Sequence, residues 1–401
     1  MKILFVTPFY KPAYIYGGPT RSIPSLAENL SKIGCDITVF TTNANGHENF
    51  FNRDNLLALN YEVNVIFYVR NIKNNFFYSH SIGNAIKEKV ENFDLVYINS
   101  NWAYPFLPAG FYARQKNIPY VIAPRTSFMQ STWKGKYLKK IIYHYIFERS
   151  LINKSSGIHY TTELEQKESD WLKLKVPGFI VPNSVDLSEF KNLPPRGIFR
   201  KKKHLGFEKK IIIFLGRIES RKGLDFTLSA FLKSQINHSD LLLVIAGPEE
   251  DGYQKKLEQY AKQNGISEKV LFTGMLNPTQ RLEALVDADL FVLTSYSENF
   301  GMSVVEAMAA GLPVIISDKV GIAPQIKETQ SGVVVPLDED RISNEINYMM
   351  NDNEFRRSLG DKAKKVAADL FSPESVAQKM LVEFERIIIS HCYKKKISAI
   401  L

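Results

Sequence analysis

Two cysteines, Cys35 and Cys392, are all that the 401 residues contain, too few to staple a chain this long and without the C-x-x-C spacing of a zinc or redox site. The expected compartment is the reducing cytoplasm. No stretch approaches the ~18 apolar residues that a spanning helix needs. The opening MKILFVTPFY has only Ile3 to Val6 as an apolar run before Pro8, which reads as a first buried strand rather than a secretion signal. There is no Walker A loop, no G-x-G-x-x-G after the first strand and no H-E-x-x-H. The seven histidines lie scattered without ligand spacing, so no metal and no cofactor is expected. Asp287 and Asp289 have the spacing of an acidic pair, but a buried strand opens directly after them, which favours a helix end and strand start.

What is abundant is positive charge, +9 net, and it is localised. Residues 131–154 carry a net +5 and residues 191–210 a net +7. Such stretches suit an anionic partner such as a membrane surface or phosphorylated ligand, or else reflect a general habit of lysine usage. They lack interleaved aromatic readers and any known reading module, so nucleic acid is not expected. From Trp133 to Phe147, Tyr137, Leu138, Ile141, Ile142, Tyr145 and Ile146 share one helical face beside Lys136, Lys139 and Lys140. That face reads as core first, and as a bilayer contact second.

Short β-rich runs recur along the chain: 2–7, 36–42, 63–69, 94–100, 119–123, 157–161 and 179–181, then 211–215, 241–246, 270–272, 290–294, 313–317 and 332–335. Helical patterns lie between them, at 20–33, 224–234, 254–263, 278–286, 303–310 and from 342 onward. Alternating strands and helices, with near-continuous apolar strands such as IIIFL and LLLVIA, predict parallel sheets covered on both faces. The expected class is α/β with two Rossmann-like, doubly wound domains facing across a cleft. The predicted divisions are an N-terminal domain over 1–190, a basic surface linker over 191–210, a C-terminal domain over 211–375, and a final helix and tail over 376–401 that returns to the N-terminal domain.

The most informative stretch is SYSENFGMSVVEAMAAGLPV, residues 295–314. Asn299, Phe300 and Gly301 read as a turn after a strand, and amide groups from Phe300 through Met302 to Ser303 then point out of a helix start, where anions bind. Glu298 stands before the turn, where a sugar hydroxyl is a natural donor to it. Ser303 and Glu306 have the spacing of a capping box, which alone accounts for Glu306. A second constellation, GRIESRKG, ends a strand at Gly216 and sets Arg217 and Lys222 in one loop, two cations able to hold a diphosphate without a metal. The bland reading is a solvated basic loop. A third is Gly17-Gly18 before the first helix, where backbone can approach a phosphate closely.

Together these segments resemble glycosyltransferase family 4, retaining transferases of the GT-B fold. The likeness rests on Gly17-Gly18, VPNSVD at 181–186, GRIESRKG at 216–223, VIAG at 244–247, VLFTGML at 270–276 and SENFGMSVVEAMAAGLPV at 297–314. It is looser from 42 to 178. The resemblance implies a sugar transferase that draws a hexose from a nucleotide-diphosphate sugar and needs no metal. Its acceptor is a hydroxyl of a lipid-linked or oligosaccharide precursor. The cytoplasm is its expected place, and the two basic stretches without a spanning helix fit a peripheral enzyme at an anionic inner membrane face. Arg217 and Lys222 would neutralise the leaving diphosphate. Glu298 and the backbone of Asn299 to Gly301 would hold the donor sugar. Glu306 would accept ribose hydroxyls, Met275 would lie near the base, and Gly17 and Gly18 would close on the phosphates and the acceptor. Many family members place a histidine where this chain has Arg125, which can offer charge but cannot act as a neutral base. A nucleotide-sugar-binding protein without transfer activity and another GT-B enzyme, such as an epimerase, are the alternatives; a phosphorylase would need a cofactor-bearing lysine that is not identifiable.

Overall fold

Strand residues that are apolar on both faces need cover on both faces, and the computed structural model, which describes residues 1–50, 62–133, 137–249 and 251–400, provides it twice. The chain divides into one unit of Met1–Ser184 with Pro373–Leu401 and another of Val185–Ser372. Lys134 and Lys136 of the first basic stretch lie outside the described residues.

The first unit carries β1 (Lys2–Val6), β2 (Asp36–Thr42), the antiparallel hairpin β3 (Ala44–Asn45) and β4 (Glu48–Asn49), β5 (Asn64–Tyr68), β6 (Leu95–Asn99), β7 (Tyr120–Ala123), β8 (Gly157–Tyr160) and β9 (Gly178–Ile180). The main sheet runs β5-β2-β1-β6-β7-β8-β9, and every pair is parallel. Side chains alternate between its faces. Ile3, Phe5, Leu95 and Tyr97 join one core with Ile23 and Leu26 of the helix Pro19–Lys32 and with Met380 and Phe384 of the C-terminal helix Pro373–Ile400. Leu4, Val6, Val96 and Ile98 join the other with Ile82 and Phe106, from helices on the opposite face.

The second unit repeats the plan with β10 (Lys210–Leu215), β11 (Leu241–Ala246), β12 (Val270–Gly274), β13 (Leu290–Leu293), β14 (Val314–Ser317) and β15 (Val333–Val335), all parallel in the order β12-β11-β10-β13-β14-β15. Ile211, Ile212, Ile213 and Phe214 are fully buried. In both sheets the strand order reverses beside the first strand, between β1 and β6 and between β10 and β13. In open parallel sheets ligands bind outside the strands' carboxyl ends at that reversal.

Two expectations change. The first unit ends at Ser184 rather than at residue 190, and 191–210 is no free linker: it belongs to the second unit. Its density of charge suggested solvation, yet Ile198–Lys202 is a helix with Phe199 and Arg200 buried. The Arg200 guanidinium donates to the carbonyls of Gly206 (2.9 Å), Lys209 (2.7 Å) and Asp287 (2.9 Å) and to the Asp289 carboxylate (3.2 Å). Asp287 accepts from the amides of Gly197 and Arg200, and Asp289 from Ile211 N–H at 2.8 Å, so both carboxylates serve this clamp. The second change concerns Tyr137 to Phe147: the apolar face expected first as core is largely exposed.

Removing one partner from a buried ion pair leaves the other charge uncompensated, at a cost of about 3–5 kcal/mol. Arg200→Met should therefore lower stability by about 3 kcal/mol or more in denaturant titration, whereas Lys201→Ala, at an exposed neighbour, should change it by no more than ~0.5 kcal/mol. Equal midpoints for the two variants would refute the clamp.

Candidate functional site

In the second unit, the loops that leave β10 and β13 meet at the reversal. Gly223 is the point of contact. Its φ is +66°, and a Cβ there would lie 1.8 Å from the Thr294 carbonyl oxygen, so no side chain fits. Thr294 Oγ1 donates back to the Gly223 carbonyl at 2.7 Å, and Tyr296 N–H reaches the Arg221 carbonyl at 2.9 Å. This lashing sets Lys222 against Glu298: their side chains form an ion pair, each less than a fifth exposed. Glu298 is itself fixed by its backbone, whose N–H donates to Lys319 (3.1 Å) and whose carbonyl accepts from Gly321 (2.8 Å).

Arg217, half exposed, stands 3.8 Å from Glu219, which also faces Arg221 at 3.1 Å. Among the described residues Arg217 forms no ion pair with Glu298. Gly216 ends the strand ahead of it, with its carbonyl oxygen 1.8 Å from where a Cβ of Gly247 would lie. The helix after β13 spans Met302–Ala309 and starts at Gly301, in the left-handed region at φ +90°. The expected capping box is therefore absent: Ser303 lies inside the helix, and no side chain caps its start. Gly301 makes the turn instead. Val304 and Val305 N–H both bond the Gly301 carbonyl, so the Met302 and Ser303 amides precede the helical ladder. Phe300 is buried edge-on against Phe371. Glu306 takes a hydrogen bond from Arg281 at 2.9 Å, and the same guanidinium pairs with Glu189. Nothing in the local sequence singles out Arg281. Met275, after Gly274, is 78% exposed.

The other candidates belong to the first unit. Gly17 sits at φ +76°, Gly18 begins the helix Pro19–Lys32, and a Cβ at either would meet no atom within 4 Å. Thr20 Oγ1 donates to the Gly17 carbonyl at 2.6 Å. Arg125 follows β7, and both it and Thr126 have positive φ, +51° and +76°. The buried Glu165 carboxylate braces that turn, accepting from Thr126 N–H (2.5 Å) and from Thr161 N–H (2.7 Å). The Arg125 guanidinium donates to Asn183 (2.7 Å), Asn99 (3.3 and 3.2 Å) and the Tyr97 hydroxyl (3.2 Å). A small pocket beside it is lined by Ser22, Leu26, His159, Asn183 and Met380. The distant Asn99, Tyr97 and Glu165 escaped the sequence reading, and Asn183 entered it only within VPNSVD, since only the folded sheet brings them to residue 125.

The family model for glycosyl transferases group 1 matches residues 196–366, and that for glycosyltransferase family 4 matches residues 16–189. The chain belongs to the group 1 glycosyl transferases. Among its relatives, the lipopolysaccharide 1,2-N-acetylglucosaminetransferase of Salmonella typhimurium is 32% identical over 210 residues, 50% of this chain and 54% of that protein. The alpha-monoglucosyldiacylglycerol synthase of Streptococcus pneumoniae is 25% identical over 327 residues, 79% of this chain and 70% of that protein. The chain spans about half the length of most curated relatives it matches. Among solved structures, Anabaena HepE in complex with UDP superposes with a TM-score of 0.73 at 18% identity, covering 96% of this chain and 100% of that one. The two wholly parallel sheets of this group 1 chain make its fold GT-B.

His159 in the first unit is wholly buried. Its Nε2–H donates to the Val181 carbonyl (2.8 Å), and Nδ1 accepts from the Tyr97 hydroxyl (2.6 Å), so the neutral ring satisfies both partners. Desolvation first, and then the Arg125 charge, pull its pKa down to about 3, against a smaller upward pull from the Val181 carbonyl. The unfolded chain takes up a proton near pH 6.5 that the folded chain refuses until about pH 3, so stability should fall as pH drops through that window. In denaturant titrations at stepped pH, wild type should lose about 1.4 kcal/mol per pH unit more than His159→Gln there. Parallel curves would mean that His159 titrates normally.

Proposed function

We propose that this chain is a retaining glycosyltransferase that moves a hexose from a nucleotide-diphosphate sugar to a hydroxyl of a glycolipid or polysaccharide precursor. The observation that carries the proposal is the Lys222–Glu298 ion pair, formed between the loops at the carboxyl ends of β10 and β13, with Arg217 on the same loop as Lys222 and a glycine-started helix following Glu298. Support for the donor comes from the HepE complexes with UDP and with UDP-glucose. Support for the acceptor class comes from relatives that build lipopolysaccharide and glucosyldiacylglycerol.

Breaking the bond between the anomeric carbon and phosphate builds negative charge on the departing diphosphate. Arg217, Lys222 and the amides at the start of helix Met302–Ala309 would meet that charge, each preorganised donor contributing about 3 kcal/mol to the barrier drop. The Glu298 carboxylate would receive donor sugar hydroxyls and, by pairing with Lys222, orient the ammonium. Glu306, steadied by Arg281, would accept the ribose hydroxyls, with Met275 against the base. The acceptor oxygen then bonds to the anomeric carbon from the leaving-group face, and its proton passes to a phosphate oxygen. No protein nucleophile and no metal is needed in this scheme. Arg125 is the first unit's candidate for charge toward phosphate or acceptor. It is held by three side chains and leaves proton removal to the substrate. The cytoplasm, where nucleotide sugars are made, is the proposed site of action.

Arg217→Ala and Lys222→Ala should each lower turnover about a hundredfold or more while the protein stays folded, measured as nucleoside diphosphate release in the presence of acceptor. Wild-type turnover in either would reject its role, and binding of nucleotide sugar without turnover by the wild type would favour the non-enzymatic reading. Activity should persist in excess chelator; strict dependence on a divalent ion would overturn the metal-free scheme.

A further inference from the structure

The helical run from Tyr137 to Asn153 contains a π turn, His144–Glu148, between two α segments, Tyr137–Tyr143 and Arg149–Asn153. A π turn inserts a residue into the helical register and swings the next side chains around the axis. Here it lets His144 and Glu148 turn fully inward while Tyr145, Ile146 and Phe147 all face outward. The inner face is spoken for. Glu148 accepts from Trp102 N–H at 2.7 Å and Asn101 Nδ2 at 3.2 Å, His144 packs edge-on against Trp133, and Leu151 and Ile152 are buried.

The outer face is apolar. Leu138 is 73% exposed and Ile146 65%, and Tyr137, Ile142, Tyr145 and Phe147 are each about half exposed. Soluble proteins seldom leave so many large apolar side chains side by side in water, and a patch of this kind marks a contact surface. Its charge is of one sign. From residue 137 to 154 the single acidic residue is Glu148, which is buried, while Lys139 and Lys154 are exposed. Lys140 and Arg149 lie at the margins: Lys140 donates to the Thr132 carbonyl (2.6 Å) and sits over the Trp102 ring, and Arg149 sits over the Tyr145 ring.

We propose that this face seats the protein on an anionic phospholipid surface. The leucine and isoleucines would enter the acyl boundary, the tyrosines would lie at headgroup depth, and Lys139 and Lys154 would extend their ammonium groups to lipid phosphates. A second copy of the chain fits poorly. A two-fold contact through this face would bring Lys139 and Lys154 of one copy toward the same residues of the other, like charge on like charge. A bilayer carrying negative headgroups answers both the apolar centre and the basic margin.

The test is co-sedimentation of the full chain with vesicles of phosphatidylcholine containing phosphatidylglycerol, and with vesicles of phosphatidylcholine alone. The protein should sediment with the first and stay in solution with the second, and added salt should release it. Leu138→Glu/Ile142→Glu/Ile146→Glu should weaken binding by about tenfold or more. Lys139→Glu/Lys154→Glu, at two exposed lysines, guards against a folding defect in the triple variant and should weaken binding in the same direction. Equal binding to both vesicle types, or binding that neither variant alters, overturns the proposal. So does a dimer that the triple variant dissolves, with no vesicle binding. Sugar transfer to a soluble acceptor, read as nucleoside diphosphate release, should be unchanged in both variants, so vesicle binding stands or falls apart from the sugar-transfer reading.

Discussion

The contact between Gly223 and the Thr294 carbonyl governs the candidate site. It joins the loop after β10 to the end of β13 at a distance that only a hydrogen on Cα permits. Lys222 precedes that glycine directly, and Glu298 lies four residues beyond the threonine. Their meeting follows from where two strands end, and needs no long-range steering of flexible side chains. A side chain at 223 would push the loops apart and separate lysine from carboxylate. The site's electrostatics thus rest on a packing constraint in the backbone.

The same reasoning explains what was readable beforehand. Strands such as Ile211–Leu215 are apolar at every position because both faces are covered, and that pattern is visible without coordinates. Gly223 and Gly301 are visible too, as punctuation between a strand and a helix. The misreadings share another cause. Charge density says that a segment is mostly solvated, but it cannot say which residue is the exception. Arg200 is one buried guanidinium among exposed lysines, and its partners Asp287 and Asp289 lie nearly ninety residues away. Ser303 and Glu306 satisfy a local capping rule, yet a left-handed Gly301 opens the helix and Arg281 takes the glutamate. From Tyr137 to Phe147 a periodic apolar face suggested burial, but a π turn directs His144 and Glu148 inward and leaves that face outside.

Arg125 shows how one side chain draws on its surroundings. Its guanidinium is fixed by Asn99, Asn183 and Tyr97, and Tyr97 in turn donates to His159. An imidazolium at 159 would put a second positive charge beside the guanidinium, and the burial that keeps His159 neutral removes that conflict. The positive φ values at 125 and 126 cost on the order of 1 kcal/mol or more each, and the buried Glu165 carboxylate, bonding Thr126 and Thr161, offsets that strain.

In the second unit the loop charges nearly cancel. Arg217, Arg221 and Lys222 face Glu219 and Glu298, and two of the three cations already lie within salt-bridge distance of Glu219. A doubly charged diphosphate would therefore meet less positive charge than a count of cations suggests. Two consequences follow from elementary electrostatics. Arg217, whose nearest carboxylate is 3.8 Å away, has more of its field to give than Lys222, which is in direct contact with Glu298. The remainder must come from dipoles, and the Met302 and Ser303 amides at the glycine-started helix are the fixed ones at hand. A site built this way discriminates by geometry more than by charge. Lys222 is held by Glu298 and the helix start by Gly301, so an anion that did not reach both would gain little from either.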